Sequence, residues 1–188
     1  TLGEWKYSPE GKSSNFIGIF VGTGIGGGII IDNKLYTGSG GVAGELGHMT
    51  IDSNGAICGC GSRGCLEAVA SKTGIQAEIK ARIKRGEDTD IKESLEKEGI
   101  LKSGPLRAAY DKGDIVVRET VERAAKYLGV GIANLINIFD PEAVVFGGGV
   151  IEELGDIILP IVKEEASRYA MRSIFENVKF EKAQHGED

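Results

Sequence analysis

Apolar runs near the start of the chain are short and are separated by turns. Residues 15–21 and 28–31 are rich in Ile, Phe and Val, which is typical of buried β-strands. A glycine-rich turn over residues 22–28 joins them, and residues 35–37 can form a third strand. Strands joined in this way predict an antiparallel meander.

Later in the chain, apolar positions recur at helical spacing. The clearest case is residues 114–139, where one apolar stripe steps by three or four residues and Asp114 is the expected cap. Helices are also predicted over residues 65–85 and residues 151–170, the latter with a kink at Pro160.

Two further strand patterns alternate with these helices, at residues 143–146 and 177–183, whereas residues 87–113 are charged and contain short helical pieces. The order of three strands, helix, strand, helix and strand predicts an α/β domain with a mixed sheet. Apolar residues within residues 38–65 show no regular spacing, which predicts a loop. A loop of that length is typical of a functional segment.

Composition and charge narrow the possible functions. Of 188 residues, 41% are hydrophobic and 27% are charged, which are ordinary globular values, but 29 glycines are about twice the average usage. A net charge of −6 leaves no basic stripe for a nucleic-acid backbone. Neither a signal peptide nor an apolar segment of about 20 residues is visible, so we expect a cytoplasmic protein that does not enter a membrane.

The turn at residues 22–28 is a candidate phosphate loop. Glycine lets backbone N–H groups approach an anion, and Gly22, Thr23, Gly24 and Gly26 are the candidate residues. No Gly-Lys-Ser/Thr follows, which excludes a Walker A loop, and a strand follows where a dinucleotide fingerprint needs a helix. A plain tight hairpin is the alternative, although it needs only one or two glycines.

A second glycine turn, consisting of Gly147, Gly148 and Gly149, follows a predicted buried strand and precedes a helix. Such turns at the carboxyl ends of sheet strands are frequent ligand sites. A purely structural turn is equally compatible with this pattern.

The three cysteines of the chain lie close together. Cys58, Cys60 and Cys65 follow His48, and three thiolates with one imidazole make a complete tetrahedral zinc set with no open position. Buried free thiols, or one disulfide with an unpaired cysteine, are the alternatives. A structural zinc ion would stabilise a long loop that buries little apolar surface.

Two glutamates flank this predicted metal cluster. Glu45 precedes His48 by three residues, and Glu67 follows Cys65 by two. Carboxylates beside a rigid metal site can accept hydrogen bonds from the hydroxyl groups of a ligand. Two surface glutamates without a binding role are the alternative.

Several motifs together resemble those of the ROK family of repressors and sugar kinases. The segments LGEW, GTGIGGGII, GELGHM, CGCGSRGCLEAVAS and NIFDPEAVVFGGGV occur in the order expected for that family between residues 2 and 150. The resemblance implies a two-lobed actin-like ATPase fold of the ribonuclease H type. Residues 1–188 would form the C-terminal lobe, with an inserted zinc- and sugar-binding loop at residues 38–67, and the N-terminal lobe and last helix would lie outside the chain.

The resemblance also implies roles for single residues. Glu45, His48 and Glu67 match sugar-binding positions, so His48 would bind zinc through one ring nitrogen and sugar through the other. The matching zinc ligands are His48, Cys58, Cys60 and Cys65; the matching nucleotide residues are Thr23, Gly24 and the turn from Gly147 to Gly149. No catalytic base is expected within the chain, because the family's aspartate would lie upstream of Thr1.

The function implied is ATP-dependent phosphorylation of a hexose, with glucose as the expected sugar and Mg²⁺ as the metal accompanying ATP. A sugar-responsive repressor is the first alternative, and a non-catalytic zinc-stabilised interaction module is the second. Hexose, ATP and a second copy of the chain in a homodimer or larger homo-oligomer are the expected partners. Nucleic acid would bind only through an N-terminal helix-turn-helix.

Overall fold

A single mixed sheet of five strands organises the fold in the computed structural model, which describes residues 13–183. The strands are β1 (Phe16–Val21), β2 (Ile25–Ile31), β3 (Lys34–Leu35), β4 (Ala143–Gly147) and β5 (Lys179–Lys182). Their order across the sheet is β3-β2-β1-β4-β5. β1 is antiparallel to β2 and parallel to β4, and β5 is parallel to β4, which confirms the predicted mixed sheet.

Seven helices and one 3₁₀ turn lie within the described residues. The helices are α1 (Leu66–Ala70), α2 (Lys72–Lys84), α3 (Lys92–Glu98), α4 (Ser103–Lys112), α5 (Ile115–Phe139), α6 (Gly149–Tyr169) and α7 (Arg172–Phe175); the 3₁₀ turn is Leu46–His48. Within residues 13–183, no helix is long and apolar enough to cross a membrane. The LGEW motif at residues 2–5 lies outside the described part of the chain.

The glycine-rich turn is shorter than the sequence predicts. β2 begins at Ile25, so Gly26, Gly27 and Gly28 pair with β1 and only residues 22–24 form the turn. Gly27 lets Leu46 pack closely on this strand, because a Cβ there would approach Leu46 Cδ1 to 2.5 Å and the Gly18 carbonyl oxygen to 3.1 Å. Close packing of the loop on the sheet, rather than turn formation, therefore explains part of the glycine cluster.

The prediction of one continuous helix over residues 65–85 is wrong, because Ser71 separates α1 from α2. Ser71 is extended, with φ −75° and ψ 166°, and its hydroxyl accepts a hydrogen bond from the Gly74 N–H at 3.1 Å. A serine that caps the next helix favours this break. The sequence contains that signal, but the apolar spacing continues through it.

The long helix α5 is confirmed together with its cap. Asp114 accepts a hydrogen bond from the Val117 N–H at 2.9 Å. The apolar stripe is buried in the main core, where α5 packs against α1, α2 and α6. α6 begins at Gly149, two residues earlier than predicted, and continues through Pro160. Gly129 lets these two helices approach closely, since a Cβ there would lie 2.7 Å from Glu165 Cβ.

Candidate functional site

The turn between β1 and β2 is packed against the first turn of α2. The Gly22 N–H donates to the Gly24 carbonyl at 2.9 Å within the turn. The Lys72 N–H donates to the Gly22 carbonyl at 2.9 Å, and the Thr23 carbonyl accepts from both the hydroxyl and the N–H of Thr73, at 2.8 and 3.3 Å. Two successive carbonyls of the turn are thus held by one helix.

Two N–H groups of this turn remain available to a ligand. Those of Thr23 and Gly24 have no hydrogen-bond acceptor among residues 13–183, and Thr23 is exposed. Adjacent backbone N–H groups without acceptors can bind an anion when they point to the same side. Gly26, a candidate phosphate ligand, lies in β2 opposite Phe20 rather than in the turn.

The second glycine turn lies beside the first because β1 and β4 are parallel and end at the same edge of the sheet. Gly148 has φ +87°, and a Cβ there would lie 2.7 Å from the Val21 carbonyl oxygen. A Cβ on Gly147 would lie equally close to the ring of Phe20. The second turn therefore requires glycine where the two strand ends meet.

The predicted metal ligands converge on one point. Ligand atoms of His48, Cys58, Cys60 and Cys65 all lie within 4.8 Å of one another. Cys60 Sγ and Cys65 Sγ are 3.8 Å apart, and Cys58 Sγ is 3.7 Å from His48 Nδ1. Zinc–sulfur and zinc–nitrogen bonds of about 2.3 and 2.05 Å predict ligand separations of about 3.6–3.8 Å in a tetrahedron. The donor set and its spacing therefore fit a zinc ion.

The thiols differ in environment and are not joined in a disulfide. Hydrogen bonds from the backbone and side chain of Ser62 lower the pKa of the exposed Cys60 thiol to about 7. Burial raises the pKa of the Cys65 thiol to about 12. A bound metal would offset this cost at Cys65, since metal ligation stabilises the thiolate.

The loop that carries these ligands is held by short backbone contacts rather than by a large core. Gly64 adopts φ +76°, and a Cβ on it would overlap the carbonyl of Asp52. The Gly64 carbonyl accepts from the Ile51 N–H at 2.9 Å, so the two ends of the loop are joined. Gly47 packs directly against the Ile25 backbone, which places the 3₁₀ turn carrying His48 beside the start of β2.

The two predicted sugar-binding glutamates lie on either side of the metal cluster. Glu45 Oε2 is 3.8 Å from His48 Nε2, the ring nitrogen that faces away from the cysteines. Glu67 Oε1 is 3.7 Å from Cys58 Sγ. Glu45 thus lies next to the histidine of the cluster, and Glu67 lies next to one of its cysteines.

Glu67 also has a contact that the sequence did not predict. Its Oε2 accepts a hydrogen bond from the Ile25 N–H at 2.9 Å, directly after the glycine turn. A Cβ on Gly24 would overlap this oxygen. The Glu67 carboxylate thus connects the cysteine cluster with the turn whose N–H groups are free to bind an anion.

Thr73 and Lys72 are site residues that sequence reasoning missed. Their contribution depends on the break at Ser71, which points the first turn of α2 at the glycine turn. The Ser-Lys-Thr-Gly sequence is the only signal for it, since serine is a preferred helix cap.

Comparison with known proteins finds relatives over the length of the chain. A glucokinase of Halalkalibacterium halodurans is 38% identical over 189 residues, covering 100% of this chain and 57% of its own length. A xylose repressor of Caldicellulosiruptor bescii is 39% identical over 181 residues, covering 96% of this chain and 45% of the repressor. The chain thus spans about half the length of these curated relatives.

Solved structures share the fold. A ROK family glucokinase from Streptomyces griseus, in complex with glucose and AMPPNP, is 33% identical and matches with a TM-score of 0.79. The match covers 98% of this chain and 60% of that one, so the sheet and its helices have the actin-like ATPase fold. The ROK family model matches residues 1–188. The chain belongs to the ROK family.

Proposed function

We propose that this chain is the sugar- and metal-binding lobe of an ATP-dependent hexose kinase, with glucose as the substrate. The observation that carries the proposal is the position of Glu67, whose carboxylate lies between the cysteine cluster and the Ile25 N–H. A hydroxyl bound at Glu67 would lie next to an anion bound by the turn. Phosphoryl transfer depends on this placement of acceptor and phosphate.

In this proposal the polar groups divide between sugar binding and nucleotide binding. Glu45 and Glu67 accept hydrogen bonds from sugar hydroxyls, and His48 Nε2 contributes a further contact on the same side. The N–H groups of Thr23 and Gly24 bind phosphate oxygens, and the turn from Gly147 to Gly149 binds the nucleotide. The catalytic base belongs to a segment upstream of Thr1, and Mg²⁺ accompanies ATP.

We further propose that His48, Cys58, Cys60 and Cys65 hold a structural zinc ion. Zinc would supply folding energy to a loop with few apolar contacts. His48 Nδ1 faces the cysteines, so ligation through Nδ1 leaves Nε2 oriented towards Glu45. The metal cluster then orients an imidazole for the sugar without taking part in the chemistry.

A coupled phosphorylation assay on the full-length protein tests the kinase proposal. Glucose, mannose, fructose and N-acetylmannosamine should be compared at saturating ATP. We expect turnover, with glucose preferred, and we expect residues 1–188 alone to show none, because they lack the proposed base and second lobe. Absence of turnover with every sugar, in a protein that binds ATP, would contradict the proposal.

A sugar-responsive repressor is the second candidate, and the similarity to the xylose repressor over 96% of the chain favours it. Such a protein would keep the sugar site and bind DNA through another segment. Sugar-dependent binding of the full-length protein to DNA, without phosphorylation, would support this candidate against the kinase.

A further inference from the structure

The peptide units of the glycine turn are oriented by α2. In a planar trans peptide the carbonyl and the following N–H point in opposite directions, and no cis peptide occurs among the described residues. The Gly22 carbonyl accepts from the Lys72 N–H, so the N–H of Thr23 points away from α2. The Thr23 carbonyl accepts from Thr73, so the N–H of Gly24 points away as well.

Only one of these three contacts depends on a side chain. The hydroxyl of Thr73 donates to the Thr23 carbonyl at 2.8 Å, which is shorter than the 3.3 Å of the accompanying backbone contact. Thr73 itself is exposed and makes no other side-chain hydrogen bond among the described residues. Its side chain therefore has no evident role in the core.

The backbone N–H groups in the first turn of α2 already have hydrogen-bond acceptors within the protein. Ser71 is fully buried, and its hydroxyl accepts from the Gly74 N–H. The N–H groups of Lys72 and Thr73 are used by the glycine turn. The helix therefore does not bind an anion directly, but its positive end lies directly behind the turn.

We propose that Thr73 is a positioning residue for phosphate binding: its hydroxyl fixes the Thr23–Gly24 peptide so that the Gly24 N–H faces the nucleotide. This inference rests on the proposed kinase function and adds a residue to it. Thr73 does not touch the phosphate. It keeps the peptide from rotating, so that less order has to be gained when phosphate binds.

Thr73→Val in the full-length protein tests this, because valine keeps the shape and removes the hydroxyl. We expect ATP affinity in calorimetric titration to fall about 2- to 10-fold, the effect of one hydrogen bond. Adenosine affinity should stay unchanged, since adenosine has no phosphate. Thr73→Ser should restore ATP binding, and Thr73→Ala should repeat the loss.

Thr120→Val is the matched control. Thr120 also donates its hydroxyl to a backbone carbonyl, that of Val116 at 2.7 Å, but it lies within α5. This variant should leave ATP affinity unchanged, so a general loss of stability is separated from a loss at the turn.

The outcomes separate the two proposals. Equal ATP affinity in wild type and Thr73→Val, or an equal loss for adenosine, would overturn the positioning role while leaving the kinase proposal intact. A wild-type protein that binds no ATP would overturn both.

Discussion

Replacing Gly24 by alanine should release Glu67 from the glycine turn. The new Cβ would overlap Glu67 Oε2, which now accepts the Ile25 N–H hydrogen bond at 2.9 Å. Because that oxygen ends a flexible side chain, the carboxylate can rotate away, and the cost is the lost hydrogen bond rather than the overlap. A hydrogen bond to a charged group contributes about 1.5–3 kcal/mol.

Gly26→Ala is the control for this change. Gly26 lies two residues after Gly24, within β2, and a Cβ there would meet no atom within 4 Å. Glycine in a strand is less favourable than alanine by about 0.5–1 kcal/mol, so this variant should be neutral or slightly stabilising. The methyl group reaches Glu67 in Gly24→Ala and reaches no atom in Gly26→Ala.

Urea unfolding and glucose titration of the full-length variants measure the effect. We expect Gly24→Ala to lower the free energy of unfolding by about 1–3 kcal/mol and to weaken sugar binding, since the same carboxylate serves both. Gly26→Ala should change neither. If both variants behave like the wild type, Glu67 does not hold the turn. If sugar affinity alone is unchanged, Glu67 is not a sugar ligand.

Three further predictions concern the metal, the core and pH. Elemental analysis should find about one zinc per chain, and Cys60→Ser should lower both zinc content and stability; unchanged stability without metal would contradict this. Leu128→Ala should lower the free energy of unfolding in urea by about 2–5 kcal/mol, because Leu128 is only 2% exposed. Ile138 is 68% exposed, so Ile138→Ala should lower it by less than about 0.5 kcal/mol. Hydrogen bonds from Ser14 lower the pKa of Glu142 below its ordinary 4.5, so the stability difference between wild type and Glu142→Gln should be present at neutral pH and shrink as pH falls below 4.5. A difference that stays constant down to strongly acidic pH would refute this.

In the proposed function, the cysteine cluster serves both loop stability and sugar binding. Its ligands join two segments of the loop, while His48 and Glu67 extend from it towards the proposed sugar site. Loss of the metal should therefore reduce sugar affinity and loop stability together.

Local sequence determined those features whose cause lies within a few neighbouring residues. The stripe of α5 and its Asp114 cap depend on spacing and on one side chain that reaches its own helix, and both are confirmed. The candidate metal ligands are also near in sequence, and the glycines between the cysteines permit their convergence. Such features need no knowledge of the rest of the fold.

The contacts that join distant segments depend on tertiary packing and could not be predicted from local sequence. Gly26, Gly27 and Gly28 belong to β2 because they pair with β1. The helical segment after Cys65 is divided at Ser71, and the helix that follows contacts the glycine turn. Glu67 reaches Ile25 across 42 positions, and Thr73 reaches Thr23 across 50. Hydrophobic periodicity and turn propensity do not predict such pairs. The hydrogen-bond partner of a polar side chain depends on which distant segments pack together.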